Sequence, residues 1–211
     1  MYLPSHFRQD DPVRMHELMR EHPLAWIVTL QGAQGLAADP IPLELDPNAG
    51  PRGTLRGHVA RANPLWKAHG TQVLALFQGP QAYVSPNHYP SKALTHKVVP
   101  TWNYAVIEVV GTLQVVEDAP WLRQLVHRLT NHHEAAQPHP WSVDDAPSEY
   151  VAQMLKAIVG IEIPIERLTG KWKLSQNRST EDRHGVAAGL AEDPRESAQA
   201  TAAMVRAARE D

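Results

Sequence analysis

The chain of 211 residues contains no cysteine, so a disulfide scaffold, a cysteine-bound zinc ion and thiol catalysis are all excluded. No apolar run approaches the length of a membrane span. The opening MYLPSHFRQDD lacks the basic-then-apolar layout of a secretion signal. A soluble, cytoplasmic protein with no membrane partner is therefore expected. Charge of one sign is also scarce. The net charge of −3 leaves room for a local basic patch but gives no electrostatic case for a broad nucleic-acid surface. The sequence has no GxGxxG, no GxxxxGKS/T, no HExxH and no GxSxG, so Rossmann, P-loop, zincin and α/β-hydrolase sites have no support. No pair of short helices carries basic residues on its second member, so DNA binding has neither charge nor motif in its favour.

What is present is apolar material, 43% of the residues, enough for a folded globular protein. Asp11-Pro12 reads as an N-cap with proline at the first helical position, Met15, Leu18 and Met19 follow at helical spacing, and Pro23 ends the run. Residues 24–30 read as a strand. Gly32 and Gly35 punctuate it, and residues 36–45 form its hairpin partner, which Pro40 and Pro42 confine to an edge or a bulge. Further strands are expected over 54–60, over 73–77 and, after a Gly79-Pro80 turn, over 82–85. The longest, 104–116, puts Ala105, Ile107, Val109, Leu113 and Val115 on one face. Gly111 interrupts that face as a bend or close packing point would. Ile161, Ile163 and Ile165 alternate in one more strand.

Two helices, capped by Asp118 and by Ser148, carry stripes that include Leu122 with Leu125 and Val151 with Leu155. These are packing faces rather than cofactor boxes. Strand signals stop after Lys173. Asp193-Pro194 with Glu196 resembles a capping-box helix start. The following stripe of Ala198, Ala202 and Val205 is weak, so light packing, a partner's surface or fraying is expected. The pattern as a whole is mainly β with flanking helices. A compact antiparallel barrel suits it, because closure removes unpaired edges.

Three polar runs stand beside apolar strands: GHVARANP over 57–64, SPNHYPSK over 85–92 and VPTWNY over 99–104. Polar groups next to core strands point to a site, since they are costly to bury without partners. Arg61 and Asn63 at a strand end suit a phosphate, although Asn63 before Pro64 equally suits a helix cap. His58 lies within a strand, where a lone histidine is more often a satisfied core or surface group than a ligand. Ser85 and Lys92 lie in a hydroxyl-rich loop that would bind an anion or simply turn. Trp102 and Tyr104 flank Asn103, so that run can stack on a flat ring and hydrogen-bond its edge, or pack at a barrel mouth. Lys173, Gln176 and Asn177 in KLSQNR repeat the basic and amide theme. The twelve histidines make net charge sensitive near neutral pH, but His132-His133 diverge on a helix and do not make a zinc site.

Taken together, MYLPSHF, HPLAWIVT, GHVARANP, AYVSPNHYPSK, VPTWNY and KLSQNR, in this order, closely resemble the PaiB family, the FMN-binding negative transcriptional regulators. The resemblance spans nearly the whole chain. It implies a split β-barrel related to the pyridoxamine-phosphate oxidases, with an FMN-binding domain over 1–178 and a helical C-terminal extension over 179–211 packed on the barrel or the dimer partner. It also implies a homodimer with FMN at the subunit interface. Carried onto this chain, Arg61 and Lys92 would supply phosphate charge and Ser85 a hydroxyl, with His58 and Asn63 lining the site. Trp102, Asn103 and Tyr104 would face the ring, and Lys173, Gln176 and Asn177 would reach in from the last strand. A flavin-dependent oxidoreductase acting on a small molecule is the alternative, with His58 and His88 as acid–base candidates. Haem binding in the same fold ranks below it.

Overall fold

The computed structural model describes residues 1–30 and 35–208. Gly32, expected to punctuate the first hairpin, lies outside the described residues. The chain forms two compact units, one of residues 1–21, 78–108 and 169–211, the other of residues 22–77 and 109–168.

The first unit opens with a short strand, β1 (Arg8–Gln9), and a helix, α1 (Pro12–Glu21). Asp11 accepts the Val13 N–H at 2.9 Å, and Met15, Leu18 and Met19 are buried, as the apolar spacing predicts. The next strands are β2 (Leu24–Leu30), β3 (Leu36–Pro42), β4 (Glu44–Asp46) and β5 (Thr54–Ala60). β3 ends the strand order, so Pro40 and Pro42 sit on an edge as expected.

β6 (Gln72–Val84) is one continuous strand, not two strands around a Gly79-Pro80 turn. The glycine is needed for approach, not for turning. A Cβ on Gly79 would lie 2.7 Å from Leu18 Cδ1. Pro80 is tolerated because the pairing with β2 covers only Leu74 to Leu76. Beside it, Ser197 satisfies the strand edge by donating to Gln81 O and accepting the Gln81 N–H.

A short helix, α2 (Ser91–Thr95), precedes β7 (Thr101–Thr112) and β8 (Gln114–Val116). Ala105, Ile107, Val109 and Leu113 are fully buried. A Cβ on Gly111 would come within 2.2 Å of the Pro164 carbonyl, the close packing its position predicts. α3 (Ala119–Glu134) and α4 (Ser148–Lys156) follow. Asp118 caps α3 through the Trp121 N–H. Ser148 is the first residue of α4 rather than its cap, which is Pro147.

β9 (Ile158–Lys173) is far longer than its isoleucine alternation suggests. It pairs with β5, β8 and β1. Among the described residues nine strands form a mainly antiparallel sheet of order β3-β2-β6-β7-β9-β5-β4, with β1 and β8 on β9.

Two helices close the chain, α5 (Thr180–Ala191) and α6 (Glu196–Ala207). α5 is capped by Ser179 and buries Val186, Ala187 and Leu190, a short apolar stripe interrupted by glycines. A Cβ on Gly185 would meet His88 O at 2.2 Å, and one on Gly189 would overlap the His88 ring. Asp182 of α5 is buried and accepts from Ser91 N at 3.0 Å and Ser91 Oγ at 2.7 Å. The 85–92 run is therefore seated on this helix. α6 departs from expectation twice. Its N-cap is Arg195 without a side-chain cap bond, since Asp193 instead holds the Arg195 guanidinium. Its Ala198, Ala202 and Val205 are buried, so the helix is packed rather than frayed.

Candidate functional site

A polar cluster of the first unit forms where β7 begins and β9 ends. Alternation along β9 turns Lys171 and Lys173 to one side, and Ser175 follows in the turn just beyond the strand. Lys173 Nζ donates to Thr101 Oγ1 and, at 2.6 Å, to Trp102 O. Asn103 is buried and donates from Nδ2 to Ser175 Oγ at 2.9 Å. Ser175 has φ 66°, a left-handed conformation uncommon outside glycine, which sets its hydroxyl against Asn103. Lys171 Nζ donates to Tyr2 O at 3.0 Å and lies 5.4 Å from the Tyr104 ring centroid. Lys173 Nζ approaches the same ring at 6.0 Å. Arg178 lies over the Tyr89 ring at 4.9 Å.

The cluster is one-sided in charge. Among the described residues no carboxylate pairs with Lys171, Lys173 or Arg178. Burial, with Lys171 and Arg178 adding like charge, holds the Lys173 ammonium below its ordinary pKa. A phosphate there would relieve that strain while the amides and hydroxyls accept and donate around it. The donor set therefore fits the phosphate end of a flavin nucleotide. The enclosed space among Thr101, Asn103, Lys173, Ser175, Asn177 and Arg178 is about 50 Å³, little more than a water or two occupies. A flat ring would have to lie outside it, where Trp102 is half exposed and meets Tyr83 edge-on at 6.1 Å.

The sequence candidates thus divide. Trp102, Asn103, Tyr104, Lys173 and Asn177 come together. Gln176 instead braces the turn after β9, accepting from Leu174 N and donating to Trp172 O, both at 2.7 Å. Ser85 and Lys92 belong to the same unit but bond locally. Ser85 Oγ accepts the Asn87 N–H, and Lys92 Nζ donates to Asn87 Oδ1 at 2.5 Å.

His58, Arg61 and Asn63 belong to the second unit. Arg61 pairs with Glu117 at 2.6 Å. Asn63 caps the following turn through the Leu65 N–H and donates to Asp39. His58 lies opposite Gly160 with a buried Nδ1 that has no partner among the described residues. Burial pushes its pKa down. The residues that sequence reasoning passed over are Thr101, Lys171, Ser175 and Arg178. The period of two in KWKLS was the available signal for Lys171 and Ser175. The contribution of Thr101 and Arg178 depends on strand pairing and the turn after β9.

A protein of Aspergillus fumigatus described only as uncharacterised is 34% identical over 90% of this chain and 90% of its own length. The Bacillus subtilis protein named "Protease synthase and sporulation protein PAI 2" is 29% identical over 88% of this chain and 87% of its own. Among solved structures, the FAD and heme binding protein from Mycobacterium smegmatis superposes with a TM-score of 0.56 at 16% identity, covering 86% of this chain and 80% of that one. A Bacteroides thetaiotaomicron protein described as a "putative 5-nitroimidazole antibiotic resistance protein" gives 0.55 at 12% identity, covering 78% of this chain and 85% of that one. These likenesses show the fold, and the expected split barrel of the flavin-binding kind is borne out. The model of the family described as "Putative FMN-binding domain" matches residues 1–167, and the chain belongs to that family.

Proposed function

We propose that this protein binds FMN and acts as a PaiB-like negative transcriptional regulator, working as a homodimer. The observation that carries the flavin reading is the cationic cluster of Lys171, Lys173 and Arg178, without a carboxylate partner among the described residues, beside buried Asn103 and Ser175. In this reading Lys173 and Asn177 hold the phosphate, Asn103 orients it through Ser175, and Trp102 and Tyr104 face the ring. Ser85 and Lys92, in the same unit, complete the proposed set. Bound FMN supplies one- or two-electron transfer. The chain's part is to neutralise the phosphate and cover the ring.

The regulatory half of the reading is supported by the relative named for protease synthase and sporulation. The dimer is supported by an apolar sheet face. Leu24, Trp26, Leu30 and Leu36 are all exposed, and the β2–β3 register places them on one side. A run of this kind on a monomer marks an interaction surface.

The test is an absorption spectrum of the purified protein after addition of FMN and gel filtration. Flavin co-eluting with a dimer is the expected result, and protein that elutes without flavin overturns the cofactor reading. Gel-shift assays across salt concentrations test direct DNA binding, and no shift at low salt counts against it. The C-terminal helices are proposed to brace the dimer, which deletion of residues 193–211 tests by its effect on elution volume. A small-molecule oxidoreductase is favoured by one observation, the neutral, unpartnered His58 Nδ1, which can serve in proton transfer. Failure of NADH or NADPH to bleach bound flavin would remove it.

A further inference from the structure

The 85–92 run, seated on α5, meets the cationic cluster through one side chain. Tyr89 is 2% exposed, and the Arg178 guanidinium stands over its ring at 4.9 Å. The Tyr89 hydroxyl is buried and has no hydrogen-bond partner among the described residues. Such a hydroxyl is costly, so packing alone would favour an apolar side chain. What the ring adds is an aromatic face, which attracts a guanidinium. Arg178 is also fixed from its other end. Its N–H donates to Ser175 O at 3.0 Å, and Ser175 in turn bonds Asn103. Between these two holds, the Arg178 side chain lines the same enclosed space as Lys173 and Asn177. Tyr89 is not among the residues lining that space, so it acts on the site only through Arg178. Its own neighbours are tightly seated. A Cβ on Gly185 of α5 would meet His88 O at 2.2 Å and Pro90 Cδ at 2.7 Å. Ser91 gives both its N–H and its hydroxyl to the buried Asp182 of α5.

A loose arginine side chain samples many rotamers and must give them up when it binds. A guanidinium already resting on an aromatic face has given them up before the ligand arrives, and affinity gains from that pre-organisation. The contacts run from α5 through Ser91 and Tyr89 to Arg178 and the cluster, all within the first unit. We propose that Tyr89 is a positioning residue of the flavin site: its ring aims the Arg178 guanidinium at the phosphate, and its seat on α5 makes phosphate affinity depend on that helix. This role rests on the flavin reading of the cluster, and it gives α5 a part in binding besides bracing the dimer.

The experiment is fluorescence titration of the full chain with FMN and with riboflavin, which differ by the phosphate alone. It compares the wild type with Tyr89→Leu, Tyr89→Phe, Arg178→Gln, the double variant Tyr89→Leu/Arg178→Gln and Ser91→Ala, with circular dichroism to confirm folding. Tyr89→Leu and Arg178→Gln should each lose about tenfold in FMN affinity and leave riboflavin unchanged. Tyr89→Phe keeps the ring face and should stay within about twofold of wild type. The double variant should lose no more than Arg178→Gln alone, because the two residues act as one unit. Ser91→Ala loosens the seat and should cost about threefold in FMN affinity. Unchanged FMN affinity in folded Tyr89→Leu, or equal losses of FMN and riboflavin, overturns the positioning role. A loss in Tyr89→Phe as large as that in Tyr89→Leu overturns the ring contact, and additive losses in the double variant overturn the route through Arg178. Wild-type FMN affinity in Ser91→Ala removes the dependence on α5. If Tyr89→Leu does not fold, Arg178→Gln and Ser91→Ala decide: FMN affinity unchanged in both, or lost together with riboflavin, overturns the role. A wild type that binds no FMN removes the flavin reading itself, whereas a wild type that binds FMN beside an unaffected Tyr89→Leu removes the positioning role alone.

Discussion

Four arginines of the second unit and the cationic cluster of the first treat positive charge in opposite ways. In the second unit Arg56 is bonded to Asp46 at 2.6 Å and to Glu162 at 2.7 Å, Arg61 to Glu117, Arg123 to Asp144 and Arg128 to Glu44. In the first, Lys171, Lys173 and Arg178 share a neighbourhood with no carboxylate on any of them among the described residues. A paired arginine is part of the scaffold, because its charge is already answered. Cations left together without a counter-ion raise the energy of the folded state and lower it again only when a ligand arrives. The contrast is a guide to function that counting basic residues does not provide, since both units contain them.

The sharpest way to break the comparison is Lys173→Met. FMN affinity should fall roughly 30- to 100-fold, about 2–3 kcal/mol, while denaturant unfolding moves by less than about 1 kcal/mol. A large loss of stability with FMN retained would mean that Lys173 belongs to the scaffold.

Arg56→Met is the converse. Burial disfavours the Arg56 charge, but hydrogen bonds to Glu162 and the nearness of both carboxylates outweigh it and raise its pKa. Removing the guanidinium leaves two part-buried carboxylates facing each other. We expect a loss of about 2 kcal/mol in urea unfolding, less than for a fully buried pair, with no change in FMN titration.

A smaller effect is expected from His58. Its folded pKa lies below the ordinary 6.5, so the unfolded state takes the proton first as pH falls. Stability is full above pH 6.5 and is lost progressively from there down to the folded pKa. His58→Gln should flatten the unfolding free energy over that acid range, and an unchanged slope would show that His58 is not its source. The smallest change is predicted for Arg128→Met, which breaks an exposed pair with Glu44. It should cost about 0.5 kcal/mol, and added salt should erase the difference.

Much of this was legible from residue order. β5 occupies the residues its pattern marks, α1 and α3 start at the expected caps, and Gly111 is the close-packing point its position implies. The misreadings share one cause. Gly79-Pro80 looked like a turn because local preference favours one. Strand pairing, a nearby Leu18 and the Ser197 hydroxyl together hold it straight. α5 was hidden because Gly185 and Gly189 admit His88 where larger side chains would mark a face, leaving only Val186 and Leu190 as an apolar signal.

The sequence by itself determined the mainly β fold, the family and the polar runs that matter, because alternation, caps and motif order are properties of neighbouring residues. Only tertiary structure decided which of those runs meet. Asn103 and Ser175 are far apart along the chain and bonded in space, Gln176 turns away to brace a loop, and Arg178 comes to rest over the Tyr89 ring. Charge pairing depends on distances that chain order does not encode.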